Sequence, residues 1–339
     1  MLRKPRPSRL PWTPDLQAVT VSLINPANGL PLRRDGDVLV DSDGHRFAIL
    51  GGVPRICDPE NYESNFGTQW NAFRETQVDH DDDGISKRRF FIETAWKPAD
   101  LENLDVLEVG SGAGRFSQVV LKNTNANLYS VDYSSAVEAN FANNRHIANN
   151  RFHLFQASVY EMPFPDGSFD KVFCLGVLQH TPDFEASVRS LIAKAKPGGE
   201  IVVDFYCIRG FWTKLNGKYL LRPFTRRMDQ QRLLNLVRVN AGWLLKTAQA
   251  MNRIGLHALT RFLPIPDLAA LPAGLTPRDL HEWVVLDTFD MLSPEYDNPQ
   301  RLRTVANMFE RNGADVSFAG FVDNGSGRAA VVRGIKRDR

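Results

Sequence analysis

Val106-Leu-Glu-Val-Gly-Ser-Gly-Ala-Gly-Arg-Phe116 decides the fold of this 339-residue chain. A short apolar run leads into Gly110, Gly112 and Gly114, and a helix-compatible stretch follows. Glycine at such a junction serves a turn that needs unusual backbone angles and lets a ligand approach the main chain closely. The spacing excludes two other nucleotide loops. A dinucleotide loop, G-x-G-x-x-G, would put its third glycine at position 115, where Arg115 stands. The phosphate loop G-x-x-x-x-G-K-[ST] is absent. A second feature lies 22 residues after Gly110, where Asp132 ends the run Leu128-Tyr-Ser-Val131. A carboxylate at the tip of the next strand accepts hydrogen bonds from a ribose diol. The competing reading makes Asp132 a helix N-cap, because Ser134 and Ser135 follow.

Apolar runs alternate with helical stretches on either side of this junction. Asp105–Val109, Leu128–Val131, Phe152–Phe155, Lys171–Leu175 and Ile201–Phe205 read as strands, with helices over 116–123, 134–148 and 184–195. That alternation implies a parallel sheet with right-handed crossovers. A helix over Pro299–Asn312 and two strands, about 315–321 and 329–335, close the chain. Upstream, residues 19–24 alternate and read as a strand, and Asp37–Val40 with Arg46–Leu50 reads as a hairpin about Asp41-Ser-Asp-Gly44. Tyr62, Phe66, Trp70 and Phe73 share one face of a helix, which reads either as a core-facing stripe or as a lid over a ligand. The expected fold is α/β: a Rossmann-like, seven-stranded, mostly parallel sheet with helices on both faces, a small β-rich N-terminal module and a helical insertion. The expected divisions are a flexible tail (1–15), the β-rich module (16–60), a main domain (61–208 and 281–339) and the insertion (209–280).

Four ordered stretches resemble the class I S-adenosylmethionine-dependent methyltransferases, over about residues 99–208 and the closing strands. Glu108-x-Gly110-x-Gly112-x-Gly114 is similar to their first motif, and Asp132 to their acidic ribose ligand. Met162-Pro-Phe-Pro-Asp-Gly-Ser-Phe-Asp170 is similar to the stretch leading into their fourth strand. Leu175-Gly-Val-Leu-Gln-His-Thr-Pro-Asp183 and Lys196-Pro-Gly-Gly-Glu200 resemble the turns after the fourth and before the fifth. The resemblance implies S-adenosylmethionine as cofactor, with Ser158 and Val159 at the adenine. Many relatives carry Asp or Glu where Ser158 stands, so the adenine bond here falls to an uncharged hydroxyl. Tyr62–Trp70 is similar to a helix that covers the cofactor in one bacterial subset. It makes Phe66 and Trp70 candidates for contact with the sulfonium, which an aromatic face attracts.

Residues 20–58 resemble the zinc-ribbon-like module often fused before such enzymes. The zinc-binding turn reads Asn25-Pro-Ala-Asn-Gly29 here, and the second site reads Asp41-Ser-Asp-Gly44. No thiolate remains at either position. The expectation is a β module without metal.

Composition excludes global disorder: 43% of residues are hydrophobic and 24% charged. Three scattered cysteines form no disulfide framework, so a reducing cytoplasm is expected. The net charge of +2 conceals a partition. Residues 209–261 hold eleven Lys/Arg and one acid, Asp229, a charge of +10, which leaves −8 on the rest. Basic amphipathic helices suit a membrane interface or an anionic partner, and a solvated face is the plainer alternative. The expected partner is a small or lipid-linked, anionic substrate, with peripheral contact at the inner membrane face through 209–261 as an extension. Nucleic acid is disfavoured, because Leu175-Gly-Val-Leu178 stands where an Asn/Asp-Pro-Pro-Tyr motif would be.

Methyl transfer is an in-line displacement in which the protein mainly aligns the reactants. A base is needed only where the nucleophile must lose a proton. His180, at the turn after the fourth strand, is the first candidate, with capping or orienting of that turn as its competing reading, and His281 and Tyr206 follow. Asp287, Asp290 and Asp297 belong to a segment re-entering the core on the substrate side. Two alternatives stay open: a quinone-type C-methyltransferase at a membrane surface, and a non-catalytic S-adenosylmethionine-binding protein.

Overall fold

The computed structural model describes residues 20–57, 84–147, 150–210, 216–271, 274–325 and 327–338. The tail and the Tyr62–Phe73 aromatic stripe, with Phe66 and Trp70, lie outside the described residues.

Seven strands form the main sheet in the order β10-β11-β9-β8-β5-β6-β7. They are β5 (Asp105–Val109), β6 (Asn127–Asp132), β7 (Phe152–Gln156), β8 (Phe169–Cys174), β9 (Ala195–Phe205), β10 (Ala314–Asp323) and β11 (Arg328–Lys336). The first five pair in parallel, and β11 runs antiparallel to both β9 and β10. Helices cover both faces, so the central strands are buried throughout and read as continuous apolar runs. Side chains alternate between the two sides. Val106 and Leu128 join one core with Phe90, Phe116 and Phe173, while Leu107 and Tyr129 join the other with Phe164 and Phe169. The crossover helices are α2 (Arg115–Asn123), α3 (Val137–Asn144) and α4 (Phe184–Lys194), and α1 (Ile85–Thr94) precedes β5. Chain order reverses beside β5: β6 and β7 build to one side, β8 and β9 to the other. At such a switch point the carboxyl ends of the strands leave a crevice for ligands.

The N-terminal module is an antiparallel sheet of β1 (Arg33–Asp35), β2 (Val38–Val40), β3 (Arg46–Leu50) and β4 (Val53–Pro54). It covers the β7 edge of the main sheet, where Arg55 bridges Gln156 and the Ile56 amide donates to the Gln156 carbonyl. The expected strand at 19–24 is corrected: only Ile24 makes a bridge, to Pro31. The Thr20 and Val21 amides donate instead to the Tyr129 hydroxyl, and the Ile24 amide to the Pro163 carbonyl. These donors are satisfied by the main domain rather than by a neighbouring strand.

The turns Asn25–Gly29 and Asp41–Gly44 meet in a hydrogen-bonded knot. The Asp41 carboxylate accepts from Asn25 Nδ2 (2.7 Å), Asn28 Nδ2 (2.9 Å), His45 Nδ1 (2.9 Å) and the Asp43 and His45 amides. Burial alone would raise its pKa; these bonds outweigh it and hold the carboxyl well below the usual range. No cluster of three metal-binding side chains occurs among the described residues.

The insertion is helical: α5 (Gly217–Thr225), α6 (Gln230–Arg253) and the short α7 (His257–Thr260). Asp229, the one acid of 209–261, is the N-cap of α6 and accepts from the Arg232 amide. The expected boundary at 280/281 falls inside α8 (Pro277–Leu292). Val284, Val285 and Phe289 of α8 pack with Leu233, Val237 and Leu244 of α6 in a third core. Helix α8 is therefore part of the cap, and the main domain resumes with α9 (Leu302–Arg311). No described helix is long and apolar enough to cross a membrane.

Candidate active site

The carboxyl ends of β5, β6, β8 and β9 and the underside of the cap enclose a cavity of about 940 Å³. Ligand pockets span roughly 300–1,000 Å³, so this one has room for a cofactor and an acceptor together. The glycine loop forms one wall. Gly110 and Gly114 have φ of +79° and +85°, a region that side chains with a Cβ rarely occupy. A Cβ on Gly110 would overlap Val177, and one on Gly114 would overlap Asn140 and Asn144. Between them the Gly112 amide donates to Asp132 Oδ2 at 2.7 Å. Asp132 Oδ1 accepts from the Ser134 amide (2.9 Å) and hydroxyl (2.6 Å). Helix α3 begins only at Val137, so Asp132 is not its N-cap. Oδ1 thus has both acceptor sites taken, and Oδ2 keeps one. Burial pushes Asp132 up, against the pull of Ser134 and Gly112.

Gly110, Gly112, Asp132, Val159, His180 and Tyr206 all line the cavity. Four other expected residues do not. Glu108 points into the sheet interior, 1% exposed, and accepts from Ser117 and Ser130 hydroxyls. Burial raises its pKa to about 7. Gly114 packs under α3. Ser158 is turned to its own loop, where Oγ accepts from the Tyr160 amide at 3.2 Å, and Ala157 and Val159 take the wall on either side. His281 faces Gly242 of α6, on the side of α8 opposite the cavity stripe Trp283, Leu286, Asp287, Asp290.

His180 sits on a one-turn 3-10 helix after β8 and is 5% exposed. Its Nδ1 lies 3.2 Å from the Tyr296 carbonyl. A carbonyl only accepts, so Nδ1 carries the proton and Nε2 holds a lone pair in the neutral ring. Burial lowers the His180 pKa, so the ring is neutral near pH 7. Segment 298–300 positions that carbonyl: the Asn298 amide donates to Gln179, and the Gln300 amide to Tyr206. The Tyr206 ring packs edge-on to His180, centroids 5.6 Å apart, and its hydroxyl donates to Asp290 Oδ2 at 3.1 Å. Burial pushes the Tyr206 hydroxyl well up, and Asp290 adds to it.

Sequence reasoning placed Asp287 on the substrate side but missed Arg89, with its partner Asp204, and Ser111. Asp287 lines the cavity, and burial with Asp290 nearby raises it to about 7, against the pull of Arg115 and Arg89. Arg89 Nη2 donates to Asp204 Oδ2 at 2.6 Å, and Asp204 also accepts from the Gly176 amide. That pair ties α1 to the turn after β8. The Ser111 hydroxyl lines the cavity, buried, without a hydrogen-bond partner among the described residues. Nothing local in the sequence marked Arg89 or Ser111.

A methyltransferase-domain family profile matches residues 107–203, from the glycine loop through most of β9. A tRNA U34 carboxymethyltransferase of Nautilia profundicola is 33% identical over 130 residues, 35% of this chain and 43% of that protein. A sterol 24-C-methyltransferase of Aspergillus fumigatus is 27% identical over 141 residues, 41% of this chain and 37% of that protein. The chain thus matches less than half the length of either relative. Among solved structures, magnesium protoporphyrin IX methyltransferase from Synechocystis covers 81% of this chain and 96% of its own, at 14% identity and a TM-score of 0.46.

Residues 107–203 thus match a methyltransferase domain, and they lie in the parallel half of the seven-stranded sheet. The resemblance noted in the sequence implies S-adenosylmethionine as the group held here. The residues present in the methyltransferase domain fit that group. Asp132 Oδ2 keeps an acceptor site for a diol at the rim, the loop keeps side chains away from the main chain, and the Ser111 hydroxyl is a buried polar group for a ligand to meet.

Proposed function

We propose that the chain is an S-adenosylmethionine-dependent methyltransferase acting on a small or lipid-linked metabolite held between the strand ends and the helical cap. One observation carries this reading: the glycine loop and Asp132 share a single cavity with His180, Tyr206 and the acidic face of α8. Bound S-adenosylmethionine supplies an already activated methyl group. The chain's own residues then orient the acceptor and shut out water. Trp283 and Leu286 give the acceptor an apolar wall, and Asp287 and Asp290 meet its polar groups. His180 Nε2 accepts the acceptor's proton, while the Tyr296 carbonyl fixes the ring through Nδ1. Tyr206, protonated and tied to Asp290, holds the other side of the imidazole.

Titration calorimetry with S-adenosylmethionine tests the cofactor site, and absence of binding would sink the reading. Cell extracts fed methyl-labelled cofactor test turnover: a labelled product means an enzyme, and binding without product means the non-catalytic alternative. His180→Gln is expected to lower kcat about 100-fold with cofactor affinity intact, by the usual worth of a general base. Unchanged turnover at saturating cofactor removes His180 from proton transfer.

A further inference from the structure

We propose that helices α5, α6 and α7 form a docking surface for an anionic lipid bilayer, with α7 as the rim over which a lipid-linked acceptor enters the cavity. Of thirteen exposed large apolar side chains among the described residues, ten lie between Gly217 and Phe262. Single exposed apolar residues need no explanation, but such a concentration marks an interaction surface.

Helix α5 is inside out. Lys218 and Arg222 are buried and face Asp297, with Lys218 Nζ 2.8 Å from its carboxylate. Arg222 also donates to the Met291 and Pro294 carbonyls. The same helix turns Leu220 (71% exposed) and Phe224 (74%) outward. On α6, Arg232, Leu236, Val239, Trp243 and Lys246 follow one another at spacings of four, three, four and three. At about 100° per residue they form one stripe, directly opposite the buried stripe of Val237, Ala241 and Ala248. The stripe is apolar in its middle and basic at both ends. That arrangement lets an apolar body enter the acyl boundary while Lys and Arg heads stay with lipid phosphates. Around α7, Leu256, Leu259 and Phe262 are exposed, while His257, Thr260 and Arg261 line the cavity. The Gly217 amide donates to the Arg261 carbonyl at 2.9 Å, which locks the first turn of α5 to this rim. The apolar surface and the cavity mouth are therefore two sides of one short segment.

Charge selects the occupant. Arg226, Arg227, Arg232, Arg238, Lys246 and Arg253 are exposed, and Asp229 is the only acid from 209 to 261. A second copy related by a twofold axis would bring these cations against themselves. An anionic headgroup layer complements them. Substrate delivery rests on the methyltransferase reading above; docking does not.

The test is flotation of the full chain with vesicles of phosphatidylcholine, alone or mixed with phosphatidylglycerol. The chain is expected to float with the mixed vesicles only and to be released by high salt. Arg232→Glu/Lys246→Glu is expected to weaken partitioning by at least about 25-fold, at about fivefold per basic residue near the surface. Val239→Glu/Trp243→Glu is expected to abolish flotation. Both variants should bind S-adenosylmethionine like the parent, which shows that they fold. Failure of the parent to float, equal flotation on neutral vesicles, or parental behaviour of both variants would overturn the proposal. So would a dimer, seen by sedimentation, that Val239→Glu/Trp243→Glu dissolves. Flotation that persists where calorimetry finds no cofactor binding supports docking and removes only the enzymatic reading.

Discussion

Glu108 gives the structure its most direct thermodynamic test. Its carboxyl sits at the end of β5, 1% exposed, and burial lifts its pKa from the ordinary 4.5 to about 7. Hydrogen bonds from Ser117 and Ser130 pull the other way without cancelling burial, and the nearby Asp132 charge adds to the rise. Between those two values the folded chain holds a proton that the unfolded chain has released. Stability therefore falls as pH rises through that window and levels off above it. Linkage puts the loss between pH 5 and pH 8 at about 2.5 kcal/mol for this one group. Glu108→Gln keeps the volume and an oxygen to accept from both serines, and it has no proton to lose. The other carboxyl oxygen, Oε1, has no hydrogen-bond partner among the described residues. Placing an amide NH2 there adds a cost that does not depend on pH. Glu93 and Asp287, also raised to about 7, titrate in both proteins and cancel in the difference. Urea unfolding of parent and variant at pH 5 and pH 8 reads the effect. The variant should gain on the parent by about 2.5 kcal/mol across that interval. Parallel profiles would refute the claim that this carboxylate is forced to ionise inside the sheet.

Asp132→Ala removes the acceptor for Gly112 and for a ligand diol, and it should weaken S-adenosylmethionine binding about 10- to 100-fold by calorimetry, the worth of charge-assisted hydrogen bonds. Gly110→Ala should cost about 1–3 kcal/mol in urea unfolding, from a positive φ and overlap with Val177. Gly110→Ala/Val177→Ala should recover the overlap part alone, so full recovery would show that the backbone angle costs nothing. Asp41→Ala should open the N-terminal module to limited proteolysis while the cofactor site still binds. In the parent, Asp41's low pKa stabilises at neutral pH, and that contribution is lost only as pH falls below the usual carboxylate range, so the module should resist proteolysis down to acid pH.

The parallel sheet was legible because strands covered on both faces leave uninterrupted apolar runs, and β5 through β9 appear where those runs stand. Glu108 was misplaced for a related reason. A family motif aligns it with the loop, but a strand alternates its side chains, and the period turns Glu108 to the face of Val106, opposite Leu107 and Val109, where it meets Ser117 and Ser130. Residues 19–24 alternate like a strand, yet their donors go to Tyr129 and Pro163, more than a hundred residues away, which no local pattern encodes. The 280/281 boundary failed because Pro277 and the Thr276 cap start a helix whose partner is α6, not the sheet.

The charge partition shows where local reading stops and what replaces it. Eleven Lys/Arg between 209 and 261 read as one basic face. Two of them, Lys218 and Arg222, are instead buried on Asp297, an acid beyond the insertion and 79 residues from Lys218. An ion pair taken out of water gives little net stability, because desolvation offsets most of the attraction. What the pair does here is set the roll of α5: with both cations held inward, Leu220 and Phe224 have nowhere to go but out. Breaking it by Asp297→Asn should leave two buried cations uncompensated, so α5 should roll or detach. Loss of vesicle flotation together with cofactor affinity unchanged would then follow from one side chain that touches neither bilayer nor cofactor. An Asp297→Asn protein that floats like the parent would show that the roll of α5 is set by something other than this charge pair.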